Sequence, residues 1–340
     1  MAVPRRLSVV SGCVTLLVLG CSAGHPDGPR PSPRSSGGTS LLRVASPDPD
    51  SRAIATSAVI APPRGSRPRS SDTVVSRAAS RIWHPKPGTS WQWQITGKVN
   101  PSLRVRMYDI DLYDAQPAAS SYRVAGFGTV HVDKGINAGV IHALHLRHKK
   151  VICYLDSGAW ENYRPDRRLF PRSVIGRSTG WSGERWLDIR RSAWPRFAPL
   201  IAARLDLAAR SHCDGVEPDQ NNPWGNHPGF AITLKDQKAW YLHIAALAHA
   251  RGLSVGQKNG IETTDAATVA AFDWDLNEEC NLYRECGVLR RYVAAGKAVF
   301  QVEYADEGMT RAKFCGADDR ANFDGLLKYL SLGAWRRSCR

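Results

Sequence analysis

The 340-residue chain carries 46 Lys and Arg against 31 Asp and Glu, a net charge of +15. The excess is uneven: residues 1–82 hold 11 Arg, no Lys and 4 Asp, whereas the rest of the chain spreads a net +8 over three times the length. With no basic helix and no nucleic-acid motif, that distribution excludes a nucleic-acid-binding domain; a basic tail suits an anionic surface such as lipid headgroups or wall polymers.

Arg5-Arg6 followed by the apolar run Leu7–Gly20 reads as an export signal over residues 1–20, too short to span a membrane. The run ends in Val18-Leu19-Gly20-Cys21, which resembles a bacterial lipobox and implies a lipid anchor on Cys21; ordinary secretion is the alternative. Residues 21–82, rich in Pro, Ser, Arg and Gly, read as a disordered tether. The expected location is therefore extracellular, at the cell surface or secreted. Export brings an oxidising setting, so the six remaining cysteines (153, 213, 280, 286, 315 and 339) are expected as three disulfides. The local pairs Cys280–Cys286 and Cys315–Cys339 are favoured. No Cys-x-x-Cys occurs, and no metal or cofactor is expected.

Order is expected from Trp83, giving one domain over 83–340. Short apolar strands then alternate with helical patterns: Trp91–Thr96, Arg106–Tyr113, Val151–Asp156, Gly215–Asp219, Ser254–Asn259, Phe272–Glu278, Ala298–Tyr304 and Gly325–Ser331. Helices are expected over Ala138–Lys150, Trp194–Ser211 and Leu234–Arg251, the last capped by Thr233 and stopped by Gly252. Eight strands in this length predict an α/β fold, a (β/α)8 TIM barrel acting as a monomer. No Gly-x-Gly-x-x-Gly follows the first strand, which argues against a dinucleotide domain.

Side chains alternate across a strand, and the outer face of a barrel strand packs on helices. Tyr108, Ile110 and Leu112 should then face out, and Asp109 and Asp111 in. The same rule sends Tyr154, Asp156, Glu217, Asp219, Lys258, Gln301 and Glu303 inward. Along Asp273–Glu279 it turns Asp273, Asp275, Asn277 and Glu279 in and Glu278 out, unless a bulge reverses the strand end. The result is a ring of acids with one lysine at the end of the barrel where active sites form. Two carboxyls flanking a bond, one protonated and one ionised, are what glycoside cleavage requires. Trp160, Trp224 and Trp274 are candidates for stacking on sugar faces. His142, His145 and His148 share a helix face and read as surface residues. A lysine at a barrel strand end also permits a Schiff-base aldolase using Lys258, although so many carboxylates would keep the amine charged.

Several segments in order resemble glycoside hydrolase family 114. They include Val151–Tyr154 with Ser157–Glu161, Arg164-Pro165-Asp166, Gly180-Trp181, Trp186–Arg190, Asp214–Asp219, Lys258-Asn259, Asn277–Cys280 and Phe300–Tyr304. The resemblance runs from about Trp91 to Cys339. It implies a (β/α)8 barrel with endo-α-1,4-polygalactosaminidase activity. It also implies Asp219 and Glu278 as the catalytic pair, in disagreement with strand parity over Glu278 and Glu279. Asp109, Asp111, Tyr154, Asp156, Glu217, Lys258, Asn259 and Glu303 are expected around the substrate. Gln220 stands where the family often has Asn, and the loop Asn221–Pro228 is particular to this chain. A non-catalytic carbohydrate-binding lipoprotein on the same barrel is the alternative.

Overall fold

The computed structural model describes residues 82–340. The expected signal segment, Cys21 and the tether through residue 81 lie outside the described residues. Eight parallel strands pair in chain order: β1 Trp91–Gln94, β2 Met107–Asp111, β3 Lys150–Asp156, β4 Gly215–Asp219, β5 Ser254–Lys258, β6 Trp274–Glu278, β7 Val299–Tyr304 and β8 Asp324–Lys328. A short β9, Arg337–Ser338, runs antiparallel beside β8. The curled sheet closes where β1 meets β8. There Trp91 Nε1 donates to the Asp324 carbonyl at 2.8 Å, and Gln92 Nε2 to the Ala334 carbonyl at 2.9 Å. The Ile95 amide donates to the Leu332 carbonyl at 3.2 Å. All eight expected strands are present.

Six helices follow: α1 Val140–His145, α2 Ala198–Arg210, α3 Leu234–His249, α4 Ala266–Ala271, α5 Arg290–Ala294 and α6 Arg311–Ala321. The crossover from β1 to β2 has no helix. In α3, Thr233 and Asp236 form a reciprocal capping box, which satisfies amides that the helix itself leaves without partners. Helix α2 starts later than the apolar pattern suggests, because Pro195 lies in a preceding 3-10 turn. Helix α1 is shorter than its pattern: the chain turns at His148, at φ 55°, before β3 begins. His145 pairs with Asp214 at 2.9 Å. Among the described residues, no helix is long and apolar enough to cross a membrane.

Two apolar cores hold the barrel. The larger lies between sheet and helices and includes Tyr108, Ile110, Leu112, Cys153 and Leu155, the outward set expected for β2 and β3. The smaller fills the barrel interior with Trp91, Trp93, Ile152, Trp274, Leu276 and Phe300 among others. The Trp91 and Phe300 rings lie 4.8 Å apart, and Trp274 and Phe300 5.5 Å. Gly256 makes this plug possible, since a Cβ there would lie 2.3 Å from the Trp274 ring.

That inner plug corrects the expected parity of β6 and β7. Trp274, Leu276, Phe300 and Val302 point into the barrel, so Glu278 points in too, and Asp275, Asn277, Gln301 and Glu303 point out. No bulge is needed: the β6–β7 ladder stays regular through Glu278 opposite Val302. Apolar residues were expected on the helix side; here the interior below the site is itself apolar and claims them. Glu303 therefore lies outside the barrel, accepting from the Asn281 amide at 2.8 Å and Gln301 Nε2 at 2.6 Å.

Three disulfides form: Cys153–Cys213, Cys280–Cys286 and Cys315–Cys339. The two local pairs are those favoured from spacing. The third ties β3 to the residues just before β4, closing a span of 60 residues.

Candidate active site

Three strands deliver the central side chains and then turn away at once. Asp219 ends β4, Lys258 ends β5 and Glu278 ends β6. The next residue in each case, Gln220, Asn259 and Glu279, is a non-glycine with φ of 59°, 50° and 64°. Left-handed backbone costs such residues roughly 1–2 kcal/mol each, and strain of this kind gathers where a site must be held in place. Asn259, the residue type that bears this conformation best, also uses its side chain. Its Nδ2 donates to Glu278 Oε2 at 2.8 Å, and its Oδ1 accepts from the Glu278 amide at 2.9 Å.

Lys258 sits wholly buried at the centre. Its Nζ lies 2.6 Å from Glu217 Oε1, 3.2 Å from Asp219 Oδ2 and 3.3 Å from Glu278 Oε2, and 4.4 Å from the centre of the Trp93 ring. Burial alone would lower its pKa, but Asp219, Glu217 and Glu278 together hold it above the usual lysine range. An amine ion-paired to three carboxylates in this way is a poor Schiff-base nucleophile, which argues against the aldolase reading. Asp219 accepts from the Gln220 amide at 2.7 Å and from the Tyr154 hydroxyl at 3.3 Å. Glu278 accepts in addition from the Tyr304 hydroxyl, which β7 brings in from the far side.

A deeper layer supports these groups. Glu217 Oε2 accepts from Trp93 Nε1 at 2.8 Å. Burial pushes Glu217 up to about 7 against the opposing pull of Lys258. Burial, then the adjacent Glu217, hold Asp109 well above the usual carboxylate range.

An open cleft lies over this centre. One lobe, of about 490 Å³, is lined by Asp219, Asn259, Glu262, Glu278, Glu279 and Glu285 with Trp181, Trp186, Trp224 and Tyr283. A second, of about 370 Å³, shares Asp219, Gln220 and Trp181 and adds Asp111, Asp114, Tyr154, Tyr163, Arg164 and Glu184. Asp219 therefore lies where the two lobes meet.

Of the residues expected around a substrate, Asp111, Tyr154 and Asn259 line the cleft. Asp109, Asp156, Glu217 and Lys258 lie beneath it, and Glu303 lies outside the barrel altogether. Asp111 is gripped by Arg164, whose two terminal nitrogens donate at 3.1 and 2.7 Å. Among the tryptophans singled out, only Trp224 faces the cleft; Trp274 is in the barrel plug, and Trp160 donates to the Arg167 carbonyl. Sequence reasoning did not assign Trp181, Trp186 and Glu184 to the site. They come from a small three-stranded sheet between β3 and α2, formed by residues 159–161, 175–178 and 184–187. Only the family-like segments Gly180-Trp181 and Trp186–Arg190 hinted at it.

A model of the glycoside hydrolase family GH114 matches residues 72–340. The chain belongs to glycoside hydrolase family 114. It is thus a glycoside hydrolase, as its segments suggested. The family 114 chain is similar to the crystal structure of Aspergillus fumigatus Ega3 in complex with galactosamine, with 30% identity and a TM-score of 0.64, covering 76% of this chain and 97% of that one. The glycoside hydrolase domain of PelA from Pseudomonas aeruginosa shares the fold at 11% identity and a TM-score of 0.56, covering 74% of this chain and 98% of that domain. No curated protein sequence matches the chain.

Proposed function

We propose that this family 114 enzyme cleaves α-1,4-linked galactosamine-containing polysaccharide, with Asp219 as nucleophile and Glu278 as general acid and base. The observation that carries the assignment is the single buried ammonium of Lys258 within 3.2 Å of one carboxylate and 3.3 Å of the other. The substrate class is supported by the likeness to Ega3, whose structure holds galactosamine, and by the acids of the cleft, which complement a cationic sugar. The net +8 outside the N-terminal 82 residues opposes long-range attraction of such a polymer; the field that matters for catalysis is the local one in the cleft.

Asp219 accepts from a backbone amide, a tyrosine hydroxyl and the ammonium, which fix its carboxylate at the floor of the cleft. It attacks the anomeric carbon while Glu278 gives its proton to the departing oxygen. Glu278 then takes a proton from the water that releases the sugar. The two lysine contacts put one oxygen of each carboxylate no more than about 6.5 Å from the other, a bound that admits the retaining spacing of about 5–5.5 Å, and retention is the outcome we propose. We further read the protein as exported and anchored through Cys21, a setting that suits its three disulfides.

The test is digestion of α-1,4-galactosaminan by the purified protein, with the product anomer followed by NMR before mutarotation. Net retention is expected, with Asp219→Asn slowing release by about 10²–10⁴-fold. Binding without any product would leave a carbohydrate-binding protein instead, and inversion would remove the nucleophile role of Asp219.

A further inference from the structure

The two ends of the barrel differ in charge. Where the strands end, acids line the cleft. Where they begin, cations gather: Lys86 lies in the run into β1, Arg104 and Arg106 in the run into β2, and Arg147 and Lys149 in the turn from α1 into β3. The backbone sets these turns side by side. The Arg106 amide donates to the Ser90 carbonyl at 2.9 Å, and the Lys150 amide to the Arg106 carbonyl at 2.9 Å. Lys86, Arg104, Arg106 and Arg147 are exposed, and Lys149 is half-buried. Among the described residues, none of these five side chains is ion-paired with a carboxylate. Three acids at this end are themselves engaged: Asp214 by Lys150 at 2.6 Å, Asp206 by Arg251 at 2.7 Å and Asp273 by His84 at 2.8 Å. The net +8 outside the N-terminal 82 residues, which opposes a cationic polymer at the cleft, therefore has a face of its own.

An apolar side chain stands among these cations. Leu146 closes α1 immediately before Arg147 and is 67% exposed, more than any other large hydrophobic residue among those described. A soluble polyanion would satisfy the cations and leave the leucine in water. A bilayer offers anionic headgroups to the cations and the acyl boundary to the leucine. The chain also enters the barrel at this end: the Ala298 amide, just before β7, donates to the Pro85 carbonyl at 3.1 Å as residues 82–90 lead into β1. The 81 residues that precede them join the barrel there. We propose that this end of the barrel docks on an anionic phospholipid surface, with Lys86, Arg104, Arg106, Arg147 and Lys149 on the headgroups and Leu146 at the acyl boundary. Docked in this way, the cleft faces away from the lipid and stays open to a polymer. The surface belongs with the exported setting read above and acts independently of the reaction in the cleft.

The experiment sediments the mature protein with vesicles of phosphatidylcholine, with and without an equal part of phosphatidylglycerol. Cys21→Ser is present throughout, so that no acyl chain contributes, and the basic residues 22–82 are common to every variant. The parent should bind the anionic vesicles, and less tightly as salt rises. Joint substitution Arg104→Gln, Arg147→Gln and Lys149→Gln should weaken that binding roughly a hundredfold, with the unfolding temperature kept within about 2 °C as expected for surface changes. Leu146→Ser alone, a single exposed change, should weaken it about tenfold. If the triple variant and Leu146→Ser both bind as the parent does, the N-terminal segment alone carries the attraction and the barrel surface is wrong. If the parent binds soluble poly(glycerol phosphate) as tightly as the vesicles and Leu146→Ser changes neither, the partner is a polyanion in water and the lipid assignment is overturned.

Discussion

Two sets of acids are buried in this barrel, one inside the sheet and one outside it, and they behave differently. The inner set, Glu217, Asp219 and Glu278, surrounds the ammonium of Lys258 and opens on the cleft. Among the described residues, no lysine or arginine is ion-paired with the outer acids Asp275, Glu303 and Asp318. Burial alone holds Asp275 well above the usual range, and burial pushes Glu303 and Asp318 each up to about 7. A buried acid with a raised pKa is thus not by itself a sign of catalysis; what separates the sets is a fixed counter-charge and access to substrate.

The comparison can be broken in three places. The largest effect is expected inside the barrel on the reacting groups, as with Asp219→Asn. Next is Lys258→Met, which leaves the inner acids without their cation. Chemical denaturation should show a loss of about 3–5 kcal/mol, accompanied by collapse of activity. A variant as stable and active as the parent would mean that the lysine does not organise the pair.

The smallest effect is expected outside. The unfolded chain releases the protons of Glu303 and Asp318 near their ordinary values, whereas the folded protein keeps them to about 7. These groups therefore make stability fall as pH rises from about 4 to about 7. Glu303→Gln should remove part of that slope, gaining about 1–3 kcal/mol at pH 8 and little at pH 4.5, with activity changed less than threefold. Thermal unfolding across pH reads this directly; a flat difference between the two proteins would show that Glu303 is not the protonated group.

Much of this was legible in the sequence. The eight strands, the inward acids of β2 to β4, Lys258, the cap of α3 and the two local disulfides follow from alternation, capping chemistry and spacing. The parity of β6 and β7 was not, because both faces of these strands are buried and each face has a plausible claim on apolar side chains. Trp274 and Phe300 resolve it only through Trp91, which is almost two hundred residues away in sequence and closes the plug. Likewise Glu184 and Trp181 enter the cleft through a small sheet without a clear period, and Cys153 meets Cys213 only because β3 and β4 are neighbours.

The measurement that bears most directly on the account is the turnover of α-1,4-galactosaminan at saturating substrate by Glu278→Gln beside Glu279→Gln. These adjacent residues share the rim of the cleft, and Glu278 lies 3.3 Å from the ammonium of Lys258. Turnover is expected to fall about 10²–10⁴-fold in Glu278→Gln and to stay within threefold in Glu279→Gln. Full turnover by Glu278→Gln, or a loss confined to Glu279→Gln, would contradict the assignment.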